Sequence, residues 1–373
     1  MEGINGVKAN KKLLAVFGTR PDAVKMCPLI RELSLRQGVQ TVVCSTGQHR
    51  DLLKGALSAF DVRPDVDLDV MSHSQTLVDV SQRILSGMGE VLSLHRPHTV
   101  IVHGDTVTAL AAALCAFYMG IDVAHVEAGL RSRDIFSPYP EEFNRRAVSL
   151  TAKYHFAPTA YAADNLLLEG IEPHRVFITG NTVVDAFKYT LRSDYTHPVL
   201  SEMKEGEKLI FFTAHRRESQ GDAMRNIFTA LQRITHKHSN VKIIYPVHPS
   251  PSVKSLAYGM LRDIPGVMLV DPLDVTDCHN ILARCHAVLT DSGGLQEEAA
   301  ALGIPALVLR NVTERQEGIM AGVSRLAGTE AEQIAATVDD LLFGEEKYAE
   351  MRSGDNPYGD GSASSRIADI LCG

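Results

Sequence analysis

The hydrophobic residues of this chain fall into short, continuous runs rich in Val, Ile and Phe, and longer amphipathic stretches separate these runs. This alternation predicts β-strands that are each followed by a helix. The runs occupy residues 13–17, 41–44, 99–102 and 123–126 in the first half, and 209–213, 241–245, 267–270, 287–290 and 306–309 in the second. Strands buried on both faces of a parallel sheet are continuously apolar, so each half predicts a doubly wound α/β sheet.

The length of the chain and the repetition of this pattern predict two Rossmann-like domains that face a central cleft. A chain of 373 residues exceeds what one hydrophobic core usually serves. We expect an N-terminal domain at residues 1–175 and a C-terminal domain at residues 176–359. The Gly- and Ser-rich segment NPYGDGSAS precedes the last helix, and we expect helix 360–373 to return to the first domain and complete it.

Composition narrows the classes of function. Hydrophobic residues make up 45% of the chain and charged residues 22%, as in an ordinary globular protein. The net charge of −8 argues against binding to nucleic acid or to an anionic membrane, and favours a small-molecule ligand. No apolar run is long enough to cross a bilayer, and residues 1–10 lack the hydrophobic stretch of a signal peptide, so we expect a cytoplasmic protein. The six cysteines lack C-x-x-C spacing, which indicates reduced thiols.

Two loops have features of phosphate-binding sites. GTRP ends the first predicted strand and places Arg20 at a helix start, with Lys25 on the same helix; solvated surface cations are the alternative. In the second half, DSGG at residues 291–294 follows a strand, and its small residues let backbone N–H groups approach a diphosphate. Glu297 and Glu298 follow on that helix, and one of them could hold a ribose, or else they compensate the helix dipole. No G-x-G-x-x-G follows the first strand and no P-loop motif occurs, so no nicotinamide cofactor is expected.

Three acids stand out in the first half, namely Asp105 in HGDT, Glu127 in HVEAG and Glu141 in PYPEE. Asp105 and Glu127 directly follow predicted strands, where ligands bind in such folds. Each acid alone could be a helix cap or an ion-pair partner, but three together favour general acid–base chemistry. His215 follows a strand of the second half and could donate a proton or hydrogen bond to a leaving phosphate.

Three further histidines, His103, His125 and His248, also flank predicted strands. Their spacing matches no recognisable pattern of metal ligands, so we expect no metal site.

The motifs GTRPDAVKMCPLI, HGDT, HVEAGLRS, PYPEEFNR, ITGNTVVDA, TAHRRES, YPVHP, DSGGLQEEA, TERQEG and NPYGDG occur in order over nearly the whole chain. Together they closely resemble the bacterial non-hydrolysing UDP-N-acetylglucosamine (UDP-GlcNAc) 2-epimerases. The resemblance implies a glycosyltransferase-B-like architecture, a homodimer, and UDP-GlcNAc and UDP-N-acetylmannosamine (UDP-ManNAc) as ligands. It also implies a place in polysaccharide biosynthesis.

Carried over motif by motif, the resemblance implies roles for particular residues. Asp105, Glu127, Glu141 and His215 would be catalytic. The substrate-binding residues would be Arg20, Lys25, Leu273, Cys278, Ser292, Gly293, Gly294, Glu298 and Arg315. Cys278 lies where relatives often have Phe beside the uracil, which predicts weaker stacking on the base.

Many relatives carry a second, activating UDP-GlcNAc site, and Gln48, Arg216 and His248 match positions associated with it, as does Glu141. Ser74 falls where some relatives have Arg, and HPSPSVK departs from the usual HxNPxVR pattern. These departures leave activation by substrate open.

The resemblance implies anti elimination of UDP to give 2-acetamidoglucal, followed by re-addition of UDP with reprotonation at C2. The C2 proton is not adjacent to a carbonyl and no nicotinamide fingerprint occurs, so simple deprotonation would be too difficult. The competing interpretations are a hydrolysing epimerase that releases ManNAc and UDP, a glycosyltransferase, and a catalytically inactive nucleotide-sugar sensor.

Overall fold

The computed structural model describes residues 11–48, 50–72, 75–216 and 221–373. Ser74, which the sequence comparison singled out, lies outside these residues. The chain divides into two compact units. The first ends at Tyr189 and also includes Gly361–Gly373, and the second spans Thr190–Asp360.

The first unit is built on a seven-stranded sheet in which every pairing is parallel. Its strands have the order β3-β2-β1-β4-β5-β6-β7. The elements are β1 (Lys11–Phe17), α1 (Arg20–Ser34), β2 (Val39–Ser45), α2 (Arg50–Ala59), β3 (Val66–Asp67), α3 (Leu77–His95), β4 (Thr99–His103), α4 (Val107–Tyr118), β5 (Asp122–Val126), α5 (Glu141–Thr151), β6 (Tyr154–Ala157), α6 (Ala160–Leu168), a 3₁₀ turn (Pro173–Arg175), β7 (Val176–Ile178) and α7 (Thr182–Thr190).

The second unit repeats this plan with a six-stranded parallel sheet of order β10-β9-β8-β11-β12-β13. Its elements are α8 (Pro198–Ser201), β8 (Lys208–Thr213), α9 (Asp222–Lys237), β9 (Val241–Pro246), α10 (Pro251–Leu261), β10 (Val267–Val270), α11 (Val275–Leu282), β11 (Ala287–Thr290), α12 (Gly293–Ala301), β12 (Ala306–Val308), α13 (Gln316–Met320), β13 (Ser324–Leu326), α14 (Ala331–Phe343) and α15 (Glu345–Ser353). The final helix, α16 (Ala363–Cys372), belongs to the first unit. In each sheet the first strand, β1 or β8, lies in the interior, and the following strands are added first on one side of it and then on the other, as in Rossmann folds. This confirms the predicted fold class.

All nine predicted strands overlap observed ones, and most of their apolar runs are buried. Residues 13–17 of β1, for example, are each at most 1% exposed. Four strands were not predicted, namely β3, β6, β7 and β13, and none of them exceeds four residues. Their apolar segments are too short to show a recognisable hydrophobic pattern.

The predicted domain boundary at 175/176 was wrong. β7 begins at Val176 and pairs with β6 at the edge of the first sheet, so residues 176–189 belong to the first unit. Helix α16 packs against α1 in that unit. Asp185 fixes the start of α16, because its carboxylate accepts the backbone N–H groups of Ala363 and Ser364 at 3.2 and 2.9 Å. Within the described residues no helix has the length and apolarity that a membrane span requires.

Candidate active site

Polar side chains of the first unit gather at the carboxyl ends of β4 and β5. Asp105 lies two residues beyond β4, and Glu127 directly follows β5. A methyl group placed on Gly104 would lie 3.6 Å from a Glu127 carboxylate oxygen, so these two loops are in close proximity. Glu141, half-buried, is the first residue of α5. The strand-end position that the sequence predicts for Asp105 and Glu127 is therefore observed.

Glu127 is held by two groups. Its side chain is 7% exposed and forms an ion pair with Lys25, whose side chain is also 7% exposed. Asn181 donates its amide N–H to the same carboxylate oxygen at 2.9 Å. The backbone of Glu127 has φ +63°, in the left-handed region, which costs a non-glycine residue on the order of 1 kcal/mol and is typical of functional sites. Lys25 therefore neutralises a buried carboxylate, a contact that the sequence prediction of a nucleotide-sugar ligand had not included.

A buried imidazole lies beside this pair. His103, the last residue of β4, places Nε2 3.7 Å from the Glu127 carboxylate and Nδ1 3.5 Å from that of Asp22. The other oxygen of Asp22 accepts hydrogen bonds from the backbone of Thr19 at 3.2 Å and from the hydroxyl of Thr106 at 3.3 Å. Asp22 thus caps α1, and the His103 imidazole lies between its carboxylate and that of Glu127.

Asp105 is connected to α5. Its half-buried carboxylate forms an ion pair with Arg145, whose side chain is 4% exposed. Asn144 donates its amide N–H to the backbone carbonyl of Asp105 at 2.8 Å. Arg145 also reaches the buried carboxylate of Glu142 at 3.3 Å. The adjacent acids of PYPEE therefore differ: Glu142 is a structural brace, whereas Glu141 lies at the helix start.

Two other predicted residues lie near the start of α1. Arg20 is the first residue of α1 and is half-buried. Gln48 accepts a hydrogen bond from the hydroxyl of Thr108 at 2.7 Å. Gly18 allows this contact, since a Cβ there would lie 2.3 Å from the Thr108 hydroxyl.

In the second unit, Asp291 organises the loop that carries His215. One oxygen of its fully buried carboxylate accepts the backbone N–H groups of His215 and Arg216, each at 2.9 Å. The other oxygen lies 3.4 Å from Nδ1 of His215. The His215 side chain is 40% exposed and stacks on the ring of His248, with centroids 5.4 Å apart. A carboxylate beside Nδ1 favours an imidazole whose Nε2 is available to a ligand.

The DSGG segment forms the start of α12 as predicted. Ser292 occupies the N-cap position, and Gly293 and Gly294 open the helix. A Cβ on Gly293 would lie 2.8 Å from the guanidinium carbon of Arg315, whereas one on Gly294 would meet nothing within 4 Å. Glu298 on the same helix is half-buried, 3.7 Å from Nε2 of His279.

Arg315 belongs to a buried charge network. Its guanidinium donates to Glu297 at 3.0 Å and to Glu314 at 2.8 Å. Glu314 also accepts from Arg216 at 3.1 Å and from Arg310 at 2.7 Å. Burial by itself would raise the pKa of Glu314, but the three arginines outweigh it and hold this pKa well below its usual range. Arg315 and Arg216 therefore brace the loop around the glycines.

Leu273 and Cys278 are partly buried residues packed against an apolar cluster of the second unit. Cys278 lies on α11, and Leu273 precedes that helix. Among the residues that the structure describes, no group of three or more His, Cys, Asp and Glu side chains could hold a metal ion.

Sequence reasoning did not single out six residues that hold these sites. They are Asp22, Glu142, Asn144, Arg145, Asn181 and Glu314. All six lie inside the recognised motifs, so their position in a motif was the available signal. Their partners are distant in sequence, and spacing alone could not reveal them.

The sequence profile of the family described as UDP-N-acetylglucosamine 2-epimerase matches residues 31–372. The UDP-N-acetylglucosamine 2-epimerase of Bacillus subtilis is 47% identical over 360 residues, covering 96% of this chain and 94% of that protein. The chain belongs to the UDP-N-acetylglucosamine 2-epimerase family. This confirms the resemblance that the motifs indicated.

Solved structures agree with the family assignment. The UDP-GlcNAc 2-epimerase of Neisseria meningitidis, solved with UDP-GlcNAc bound, has a TM-score of 0.93 and 40% identity, covering 97% of this chain and 99% of that one. The glycotransferase of kitacinnamycin has a TM-score of 0.63 at 13% identity, covering 97% of this chain and 98% of that one. The second likeness concerns the fold alone and supports the glycosyltransferase-B-like description of this epimerase-family chain.

Proposed function

We propose that this chain interconverts UDP-GlcNAc and UDP-ManNAc and retains the sugar as its UDP derivative. The observation that carries the proposal is the pair of acids at the carboxyl ends of β4 and β5, Asp105 and Glu127, each of which forms an ion pair with a buried cation. The Neisseria relative, whose structure contains UDP-GlcNAc, supports the choice of substrate. The proposed reaction uses only acid–base groups of the protein and requires no cofactor.

The proposed reaction begins with anti elimination. A carboxylate removes the C2 proton, the C1–O bond breaks with its electron pair leaving on UDP, and a C1=C2 double bond forms in 2-acetamidoglucal. UDP then re-adds to C1, and a proton is delivered to C2 on the opposite face. Proton transfer on two faces requires more than one acid–base group, which Asp105, Glu127 and Glu141 supply.

The ion pairs support this assignment. Lys25 at Glu127 and Arg145 at Asp105 hold each carboxylate in a fixed position. A catalytic group that is held in place avoids the entropic cost of being positioned during the reaction. In the proposed mechanism the acids would also favour the oxocarbenium character that develops in the sugar.

The second unit would bind the nucleotide. The N-terminus of α12 presents backbone N–H groups at Gly293 and Gly294, which suit a diphosphate. His215, oriented through Asp291, would stabilise the negative charge that grows on departing UDP. Glu298 would accept from the ribose hydroxyls. The activating site expected at Gln48, Arg216 and His248 stays a prediction.

We also propose that the chain forms a homodimer through the first unit. Helices α3, α4 and α5 pack side by side and expose large apolar side chains. Leu94, Tyr118 and Leu150 are 78%, 75% and 80% exposed, and Phe117 and Phe143 about half. Apolar groups of this size on adjacent helices favour a protein interface, here with a second copy.

Product identity tests the proposed reaction against hydrolysis. Purified protein is incubated with UDP-GlcNAc, and the products are separated and identified by proton NMR. We expect UDP-ManNAc in equilibrium with UDP-GlcNAc, with free sugar well below one turnover per hundred. Stoichiometric ManNAc and UDP would assign the chain to the hydrolysing epimerases, and tight binding without turnover would assign it to the sensors.

A further inference from the structure

Helix α5 contacts the Asp105 loop at two different groups. Asn144 binds the backbone carbonyl of Asp105 at 2.8 Å, and Arg145 pairs with its carboxylate. Both side chains are buried. A backbone contact and a side-chain contact from the same helix restrict both the position of the loop and the rotamer of the acid.

The far side of Arg145 is fixed as well. Glu142 binds Arg145 at 3.3 Å and also accepts the backbone N–H groups of Ser132 and Arg133 at 3.0 and 3.3 Å. The guanidinium therefore lies between a structural carboxylate with no solvent exposure and the proposed catalytic carboxylate. A rigid, planar donor suits this bridging position better than a flexible ammonium group.

The same helix begins at Glu141. Asn144 and Arg145 lie three and four residues beyond it, so one helical turn connects two of the three acids. Any displacement of α5 would change the position of Glu141 and Asp105 together.

We infer that Arg145, assisted by Asn144, is a positioning residue that acts on the substrate only through Asp105. The inference rests on the proposed epimerase function. Misplacing a reacting group by about 1 Å can lower a rate by roughly 100-fold, which sets the expected size of the effect. Binding of the nucleotide should be unaffected, because the proposed diphosphate groups belong to the second unit.

The test compares R145A, R145K and N144A with wild type in steady-state epimerisation and in UDP binding by calorimetry. We expect kcat to fall about 100-fold in R145A and by a similar factor in R145K, with KM and the Kd for UDP changed less than about threefold. Guanidinium ion at millimolar concentration should restore part of kcat in R145A. In the D105N background, R145A should cost little further activity.

The matched control is R131A. Arg131 is another buried arginine of the first unit, and it pairs with Glu169 at 2.7 Å. R131A should lose thermal stability, yet guanidinium ion should not raise its kcat. If R145K retains full kcat, if guanidinium ion rescues both variants equally, or if R145A raises KM instead of lowering kcat, the inference is overturned. An inactive wild type would instead overturn the proposed function.

Discussion

The buried pair of Lys25 and Glu127 allows a quantitative prediction. Both side chains are 7% exposed. In K25M the Glu127 carboxylate stays buried, with Asn181 at 2.9 Å and the His103 imidazole at 3.7 Å beside it. Breaking a buried pair by removing one partner costs roughly 3–5 kcal/mol, and the Asn181 hydrogen bond places the expected loss near the lower end, at about 3 kcal/mol.

Removing both charges should be less damaging than removing one. In K25M/E127Q no uncompensated buried charge remains, so we expect most of that loss to be recovered. For a unit of about 200 residues, 3 kcal/mol corresponds to a fall in Tm of roughly 6–12 °C. The chain contains no Trp, so unfolding is best followed by far-UV circular dichroism against temperature and urea.

Activity separates the stabilising role of the pair from its catalytic role. E127Q retains the shape of the side chain but cannot exchange a proton, so kcat should fall by about 10²–10⁴. The double variant should be as inactive as E127Q even though it regains stability. A K25M variant that loses less than about 1 kcal/mol, or a double variant no more stable than K25M, would refute this reasoning.

The remaining predictions concern pH, backbone space and assembly. Burial, with the charge of Arg175 as a lesser cause, lowers the pKa of His155 from 6.5 to about 4, so below pH 6.5 the unfolded chain binds a proton that the folded chain does not. The free energy of unfolding should therefore fall as pH falls from 6.5 to 4. Urea titrations at several pH values should show that this free energy depends on pH less steeply in H155L than in wild type, by about 1.4 kcal/mol per pH unit. An equal pH dependence in the two proteins contradicts this. G293A should lower the free energy of unfolding by about 1–3 kcal/mol, because the added Cβ would crowd Arg315, whereas G294A should not lower it. Equal losses in thermal unfolding of the two variants would contradict these contact distances. L150E should shift the protein towards monomer in sedimentation, whereas L168E, at a similarly exposed leucine, should not.

The sequence predicted the two sheets well and the contacts within the site less well. Continuous apolar runs identify buried strands such as β1 and β8 because burial on both faces leaves no polar position. The three-residue strand β7 carries no such signal, and this shifted the predicted domain boundary from Tyr189 to residue 175. Lys25 was predicted to meet the nucleotide-sugar, but its ion pair is with Glu127, a residue 102 positions away. Local sequence patterns predict which charged residues lie at strand ends, whereas the tertiary fold determines which residue each of them pairs with.

Incorporation of deuterium at C2 tests the central claim most directly. UDP-GlcNAc is incubated with the protein in deuterated water, and proton NMR follows the C2 position of both UDP-sugars. Elimination and re-addition predict that the UDP-ManNAc formed carries deuterium at C2, and that E127Q slows this exchange by about 10²–10⁴. UDP-ManNAc that retains the original C2 proton, formed at the same rate, would contradict the account.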